Sequence, residues 1–192
     1  VTTAGDLRHR LALDTPPPGW RLGNPRAAKR IMAALLDGEA VALENETSVP
    51  SDWLSSLSLV DQAARRIIVT ERRRGPTDGL LLHPATVVLG VGCERLAPAD
   101  ELIDLAEEAL AEAGLSSHSL ACIASIDLKA AEPAVHALAR HFGVPARFFD
   151  AARRHASEQR YAPLPACLPR TPGTSACQPP DRRTNRTISA CG

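Results

Sequence analysis

The chain has 192 residues, 44% hydrophobic but only 3% aromatic, so aliphatic side chains must fill any core. Its 22 Lys and Arg residues balance its 22 Asp and Glu residues, and this zero net charge argues against nucleic acid as the main partner. No apolar run approaches the roughly 20 residues that cross a bilayer, and no signal peptide is visible. Five scattered cysteines without a Cys-x-x-Cys pair favour a reduced, cytoplasmic protein rather than a zinc or dithiol site.

Residues 1–80 are predicted to form a small α/β unit. A helix is predicted to begin at Pro25, because Asn24 is a good N-cap and proline is favoured at the first helical position. Short strands are predicted at 40–43 and 67–70. The apolar residues of the helix share one face, which is the face expected to pack on those strands: Ala27, Ile31, Ala34 and Leu35.

Residues 81–160 show a clearer alternation of strands and helices, after a turn-forming segment at 75–79. This alternation is typical of a layered α/β/α domain, in which helices pack on a parallel sheet. The sequence therefore predicts the α/β class, with the smaller α/β unit preceding the layered one. The predicted strands are 80–83, 86–91, 120–125 and 147–149, and the predicted helices are 98–113 and 133–141.

Residues 161–192 differ in composition, because six prolines interrupt any periodicity. A segment of this kind buries too little apolar surface to order itself, so we expect it to be disordered. An aberrant terminus, produced by a frameshift after about Tyr161, would explain the change in composition.

Two polar segments each follow a predicted buried strand and precede a helix. The first holds Gly90, Gly92 and Cys93, and glycines at such a place let the backbone approach a ligand at a helix N-terminus, where negative charge is favoured. The second begins about thirty residues further on and carries several ionisable side chains. Its polar residues are Ser125, Asp127, Lys129 and Glu132, with Pro133 after them.

The order and spacing of these segments resemble the CbiG/CobE family of cobalamin biosynthesis, whose pattern is Gly-x-Gly-Cys-Arg followed by Ser-x-Asp-x-Lys-x-x-Glu. Glu94 stands where the family usually has arginine, and Arg95 is the candidate replacement. Thr3 and Asp6 resemble the family's middle region. The resemblance therefore implies a middle region at 1–80 and a C-terminal domain at 81–160. Because the chain starts with valine and lacks the family's N-terminal domain, we expect a fragment.

The resemblance implies a cobalt-precorrin-5A hydrolase, which opens a lactone on a tetrapyrrole and releases acetaldehyde. Such chemistry needs an activated water and stabilisation of an oxyanion. Cobalt would arrive within the substrate, so no cofactor and no protein metal ligand are expected. Two alternatives stay open: a non-catalytic, CobE-like module that holds a corrin intermediate, and a segment that works with a fused or associated precorrin methyltransferase.

Three residues of the second segment are the candidates for catalysis. Lys129 is either an anchor for a substrate carboxylate, or a polariser of its carbonyl, or an ordinary surface lysine. Glu132 is either a general base or an acidic first-turn residue that the helix dipole favours. Asp127 has the same ambiguity, because an aspartate ahead of a helix often caps it.

The remaining candidates are predicted to bind substrate, and each has a simpler explanation. A tight turn would explain the glycines, and Cys93 would be a small buried residue rather than a nucleophile. A serine at a strand end usually bonds to backbone, and a threonine or aspartate near the start of the chain can cap a helix. The candidates for substrate binding are Gly90, Gly92, Cys93, Arg95, Ser125, Thr3 and Asp6.

Overall fold

A computed structural model describes residues 12–75, 77 and 79–150, together with the backbone of 187–191. These residues form two sheets, each built mainly from parallel strands and packed against helices, so the predicted α/β class is confirmed. Over the same residues, we find no helix with the length and apolar character that a membrane crossing requires.

The first sheet has five strands in the order β1-β5-β4-β2-β3, and only β1 runs antiparallel to its neighbour. The sequence did not predict β1 or β3, because elements of three and two residues are too short to show a periodicity. The elements are β1 (Trp20–Leu22), α1 (Pro25–Leu36), β2 (Val41–Asn45), β3 (Leu59–Val60), β4 (Arg65–Val69) and β5 (Leu80–Pro84).

Helix α1 begins at Pro25, as predicted, but the Asn24 side chain does not cap it. Its amide instead donates to the Gly79 carbonyl oxygen and its oxygen accepts from the Leu81 N–H, each over 2.8 Å. The Asn24 side chain therefore bonds to the start of β5 instead of to the helix N-terminus. The predicted apolar face of α1 packs on the sheet. Ala27, Ile31 and Ala34 are buried there, and Leu35 is partly buried.

The second sheet has the order β8-β7-β6-β9, and all of its strands are parallel. Its two helices pack against each other and share one apolar core with the sheet, so the described helices lie on one face. The further helical layer of the predicted α/β/α arrangement is not among the described residues. The elements are β6 (Val87–Gly92), α2 (Ala99–Glu112), β7 (Leu120–Ile126), α3 (Pro133–Phe142), β8 (Ala146–Phe149) and β9 (Thr187–Cys191).

Strand β9 lies in the segment that the sequence predicted to be disordered. It pairs with β6 in parallel register, from Val88 opposite Thr187 to Gly92 opposite Cys191. A strand formed by pairing with a distant strand is not announced by a local pattern, and the prediction of disorder for the segment as a whole stays a prediction. The rest of the predicted tail, including the suspected frameshift after Tyr161, lies outside the described residues.

Polar contacts join the two sheets. The Arg21 guanidinium, on β1, donates to the carbonyl oxygens of Phe142 and Gly143 at the end of α3, over 3.1 and 2.8 Å. Near the other end of the junction, the Thr86 hydroxyl donates to the Glu71 carboxylate over 2.7 Å. These bonds hold β1 and the residues after β4 against the second sheet.

Candidate functional site

The two polar segments meet at the carboxyl edge of the second sheet. Strands β6 and β7 are adjacent and parallel, with Gly90 opposite Ala124, so the residues that follow each strand emerge side by side. The strand order also reverses here, because β7 and β8 extend the sheet to one side of β6 and β9 pairs on the other. In open α/β sheets, ligands bind beyond the carboxyl ends of the strands at such a reversal.

One hydrogen bond ties the two segments together. The Glu132 carboxylate, on a residue only 7% exposed, accepts from the Leu96 backbone N–H over 2.9 Å. Leu96 has a φ of 64°, a left-handed conformation that is unfavourable for a branched side chain. Glu132 thus holds the loop after β6 in a strained conformation. It occupies the N-cap position of α3 without capping it, and so is not the first-turn residue that the sequence suggested.

Cys93, Lys129 and Glu132 lie close enough to influence one another electrostatically. Burial raises the pKa of the Cys93 thiol, the Lys129 ammonium acts to lower this pKa, and the Glu132 carboxylate acts to raise it. With its pKa raised, the thiol is protonated at neutral pH, which argues against a nucleophilic thiolate. The group is therefore a cation and a carboxylate beside a neutral thiol.

Gly92 leaves the end of β6 open. Among the described residues, no atom lies within 4 Å of the place where a side chain would begin at this position, and the backbone here is not left-handed. Neither a close contact nor a turn therefore requires glycine at 92, so a tight turn does not explain it. Gly90, by contrast, lies within the ladder of β6, between Ala124 and Ser189.

The remaining predicted residues divide into structural and accessible ones. The buried Ser125 hydroxyl donates to the Val91 carbonyl oxygen over 3.0 Å and joins β7 to β6, so it acts as the backbone partner that the simpler explanation anticipated. The exposed Asp127 accepts from the Leu128 N–H over 2.8 Å and stabilises the turn after β7. Arg95 is exposed in the loop after β6. The other two candidates, Thr3 and Asp6, lie outside the described residues.

Large apolar side chains stand exposed around this group, which sequence reasoning missed. Leu96 follows β6 and is 80% exposed, Leu128 follows β7 and is 78% exposed, and Phe149 ends β8 and is also exposed. Exposed apolar side chains beside a polar group often belong to a binding surface when they form a contiguous patch. The one sequence signal for these exposed leucines is a leucine within a few residues of a strand end, and that pattern is too common to be informative. Over the described residues, no three His, Cys, Asp or Glu side chains cluster as a metal site would require.

Comparison with known proteins gives two family matches that follow one another along the chain. Residues 14–84 match the cobalamin biosynthesis central region, and residues 87–176 match the cobalamin synthesis G C-terminus. Protein CobE of Sinorhizobium sp is 54% identical over 78 residues, which is 41% of this chain and 51% of the relative. The cobalt-precorrin-5A hydrolase of Priestia megaterium is 24% identical over 165 residues, which is 74% of this chain and 44% of the relative.

Among solved structures, a candidate cobalamin biosynthesis protein G homolog from Sulfolobus solfataricus is 20% identical, with a TM-score of 0.33 over 80% of this chain and 45% of that one. The family matches show an α/β protein of cobalamin biosynthesis. The chain belongs to the CbiG/CobE family, as the resemblance of its motifs implied. It spans about half the length of the curated relatives that it matches, 51% and 44%.

Proposed function

We propose that this chain binds a cobalt-precorrin tetrapyrrole and forms part of a cobalt-precorrin-5A hydrolase, which opens the ring lactone and releases acetaldehyde. The observation that carries the proposal is the hydrogen bond from the Leu96 N–H to Glu132, because it links the loop that follows the first family motif to the last residue of the second. The name of the Priestia megaterium relative supports the reaction, and the site's position beyond the strand ends supports ligand binding.

The site offers complementary groups for an apolar ring that bears carboxylates. Lys129 and Arg95 supply positive charge for acetate and propionate side chains. Leu96 and Leu128 supply exposed apolar surface for the ring itself. Because Gly92 has no side chain and open space in front of it, the ring can approach the end of β6 closely.

In the proposed lactone opening, a carboxylate acts as the base and a cation stabilises the developing negative charge. Glu132 takes a proton from water through the carboxylate oxygen that does not accept from Leu96, and the resulting hydroxide adds to the lactone carbonyl carbon. Lys129 stabilises the negative charge that develops on the carbonyl oxygen, and the bond from the acyl carbon to the ring oxygen then breaks. Glu132 returns the proton to the departing ring oxygen, so the products are a carboxylic acid, which ionises, and an alcohol. Loss of acetaldehyde then requires removal of the hydroxyl proton, cleavage of the adjacent carbon–carbon bond as the carbonyl forms, and return of a proton to the carbon left on the ring, and the same pair serves these transfers.

In this proposal the protein supplies no cofactor and no metal ligand, since cobalt enters with the substrate. The place of action is the cytoplasm. A precorrin methyltransferase, fused or associated, is the proposed protein partner, and co-elution of the two proteins on a sizing column would support it. Separate elution at micromolar concentrations would argue against a stable association.

An anaerobic titration with cobalt-precorrin-5A, followed through its visible absorbance, tests the binding. We expect a saturable shift that weakens about tenfold in Lys129→Ala, since a charge-assisted contact contributes roughly 1.5–3 kcal/mol. Lys29→Ala, which removes an exposed lysine from α1, is the matched control and should bind normally. No shift with a folded chain, or equal binding by both variants, would contradict the proposed site.

A second function, a CobE-like module that holds the intermediate without turnover, is favoured by the 54% identity to protein CobE. An acetaldehyde assay of the saturated complex separates the two. Binding with acetaldehyde release supports the hydrolase. Binding without release, in a chain that retains its site, supports the holding module.

A further inference from the structure

A second cleft, lined by residues other than those of the strand-end site, lies where the two sheets meet. Its volume is about 330 Å³, and residues of both units line it. Interfaces between structural units are common places for ligand sites, and this volume is near the lower end of the usual range. The polar residues that line the cleft are Arg73, Arg74, His83, Glu107, Ser116, Ser117 and His118.

The protonation of His83 is fixed by its surroundings. Its ring is only 2% exposed, and Nδ1 lies 2.6 Å from the Thr70 carbonyl oxygen. Because a carbonyl oxygen only accepts, Nδ1 carries the proton, and Nε2 of the neutral ring is then an acceptor.

A chain of polar contacts runs from this ring toward the cleft. The Ser116 hydroxyl oxygen lies 3.5 Å from Nε2 of His83 and 3.5 Å from Nδ1 of His118. If the hydroxyl donates to His83, its oxygen accepts from the His118 backbone N–H over 3.3 Å and, in the tautomer with the proton on Nδ1, from the His118 ring as well. Nε2 of His118 is then left with a lone pair, so His118 can donate there only after it takes up a proton.

Two arginines and one glutamate line the cleft, and one of the arginines has no partner for its side chain among the described residues. Arg74 pairs with Glu46, and Glu107 pairs with His141. The Arg73 side chain has no hydrogen bond or ion pair among the described residues. The ionisable groups that line the cleft or act on its histidines are Arg21, Arg73, Arg74, His83, Glu107 and His118.

We propose that this cleft binds a small anion, a carboxylate or a phosphate group, through the Arg73 guanidinium and the His118 ring, and that His118 takes up a proton on binding. The volume suits a small anion rather than a whole tetrapyrrole. The proposal does not depend on the lactone chemistry, because none of the cleft residues belongs to the strand-end site.

Calorimetric titration of the full chain with succinate and with inorganic phosphate tests the proposal. We expect saturable binding of at least one anion, and the preferred anion identifies the ligand class. Arg73→Gln should weaken binding about tenfold, because it removes a charge-assisted contact. Arg147→Gln, which removes an exposed arginine from β8, is the matched control for net charge and should bind normally. Absence of saturable binding by either anion, or equal weakening in both variants, would overturn the site.

The proton uptake has its own measurement. Succinate binding at pH 7, compared in two buffers of different ionisation enthalpy, reports the protons taken up. We expect uptake by the unaltered chain and its loss in His118→Gln, with circular dichroism showing that the variant is folded. Uptake that persists in His118→Gln would overturn the assignment of the proton to His118.

Discussion

Burial of His83 at the junction of the sheets makes stability depend on pH. Burial lowers the pKa of His83, and the neighbouring His118 lowers it further, while the hydrogen bond to Thr70 acts in the opposite direction. The unfolded chain, whose histidines keep the ordinary value of 6.5, therefore binds more protons than the folded chain just below that pH. The stability associated with His83 is complete above pH 6.5 and is lost as pH falls toward the lowered pKa.

We accordingly expect the urea midpoint to fall as pH is lowered from neutral, and His83→Gln to flatten that dependence. Glutamine retains a donor for the Thr70 carbonyl oxygen but does not titrate. His136→Gln replaces a histidine on α3 that bonds to the Ala130 carbonyl oxygen, and serves as the control, which should keep the original slope. An unchanged slope in His83→Gln would assign the pH dependence to other groups.

Glu132 has two proposed roles, which two substitutions separate. Glu132→Gln keeps an acceptor for the Leu96 N–H but cannot act as a base, so we expect normal binding of cobalt-precorrin-5A and a loss of acetaldehyde release of about 10²–10⁴-fold. Glu132→Ala also releases the strained loop and leaves the partly buried Leu96 N–H without its carboxylate acceptor. That variant should lose roughly 1–3 kcal/mol of stability as well. Full turnover by Glu132→Gln would exclude the base role.

At the scale of elements, a substitution at Gly92 should alter ligand binding without altering the stability of the fold. Since a side chain at the end of β6 meets open space, Gly92→Val should fold with unchanged or slightly higher stability. The same side chain would occupy the space in front of the strand, so binding of cobalt-precorrin-5A should weaken about tenfold, or roughly 1.4 kcal/mol. Gly75→Ala, another glycine with open space around it, should change neither property. Unchanged affinity in Gly92→Val would place the ligand elsewhere.

The helices of the fold were predictable because their signals are local. Periodicity and end residues placed α2 at 98–113 and α3 at 133–141, against the observed Ala99–Glu112 and Pro133–Phe142. Strand β9 was not predictable, because it forms by pairing with β6. The prolines that precede it in the sequence favour a segment without regular structure. Local patterns thus reveal elements that stabilise themselves and miss elements that a distant strand stabilises.

The sequence predicted two polar segments, each between a buried strand and a helix, and their role in binding or catalysis stays a prediction. Parallel pairing of β6 with β7 brings the two segments to one sheet edge. The bond between Glu132 and Leu96 could not be foreseen, because it depends on the left-handed conformation of a leucine. The interface cluster around His83 was missed for a related reason: its members come from separate elements and show no spacing along the chain.

At the scale of the whole molecule, two separate apolar cores are joined by polar bonds. Interfaces of this type, more polar than a core, usually allow relative motion of the units. Arg21 is the clearest link, because its guanidinium bonds to the last carbonyl oxygens of α3, where a cation is also favoured by the helix dipole. Backbone bonds from the Ser116 N–H to the Glu71 carbonyl oxygen and from the Arg73 N–H to the Gly114 carbonyl oxygen also join the two sheets. Among the side chains at the junction, Arg21 also acts on the pKa of His118 in the cleft.

Arg21→Gln should accordingly change two properties together. Loss of the charged donor should lower the free energy of unfolding by about 1–2 kcal/mol. Burial lowers the pKa of His118, and the Arg21 charge lowers it further, so the substitution should raise the midpoint of the His118 titration followed by NMR. Arg147→Gln removes the same charge from β8 and should alter neither quantity. A His118 midpoint unchanged in Arg21→Gln would mean that the positive potential of the cleft does not come from the first sheet, and Arg73 would then be the group to examine.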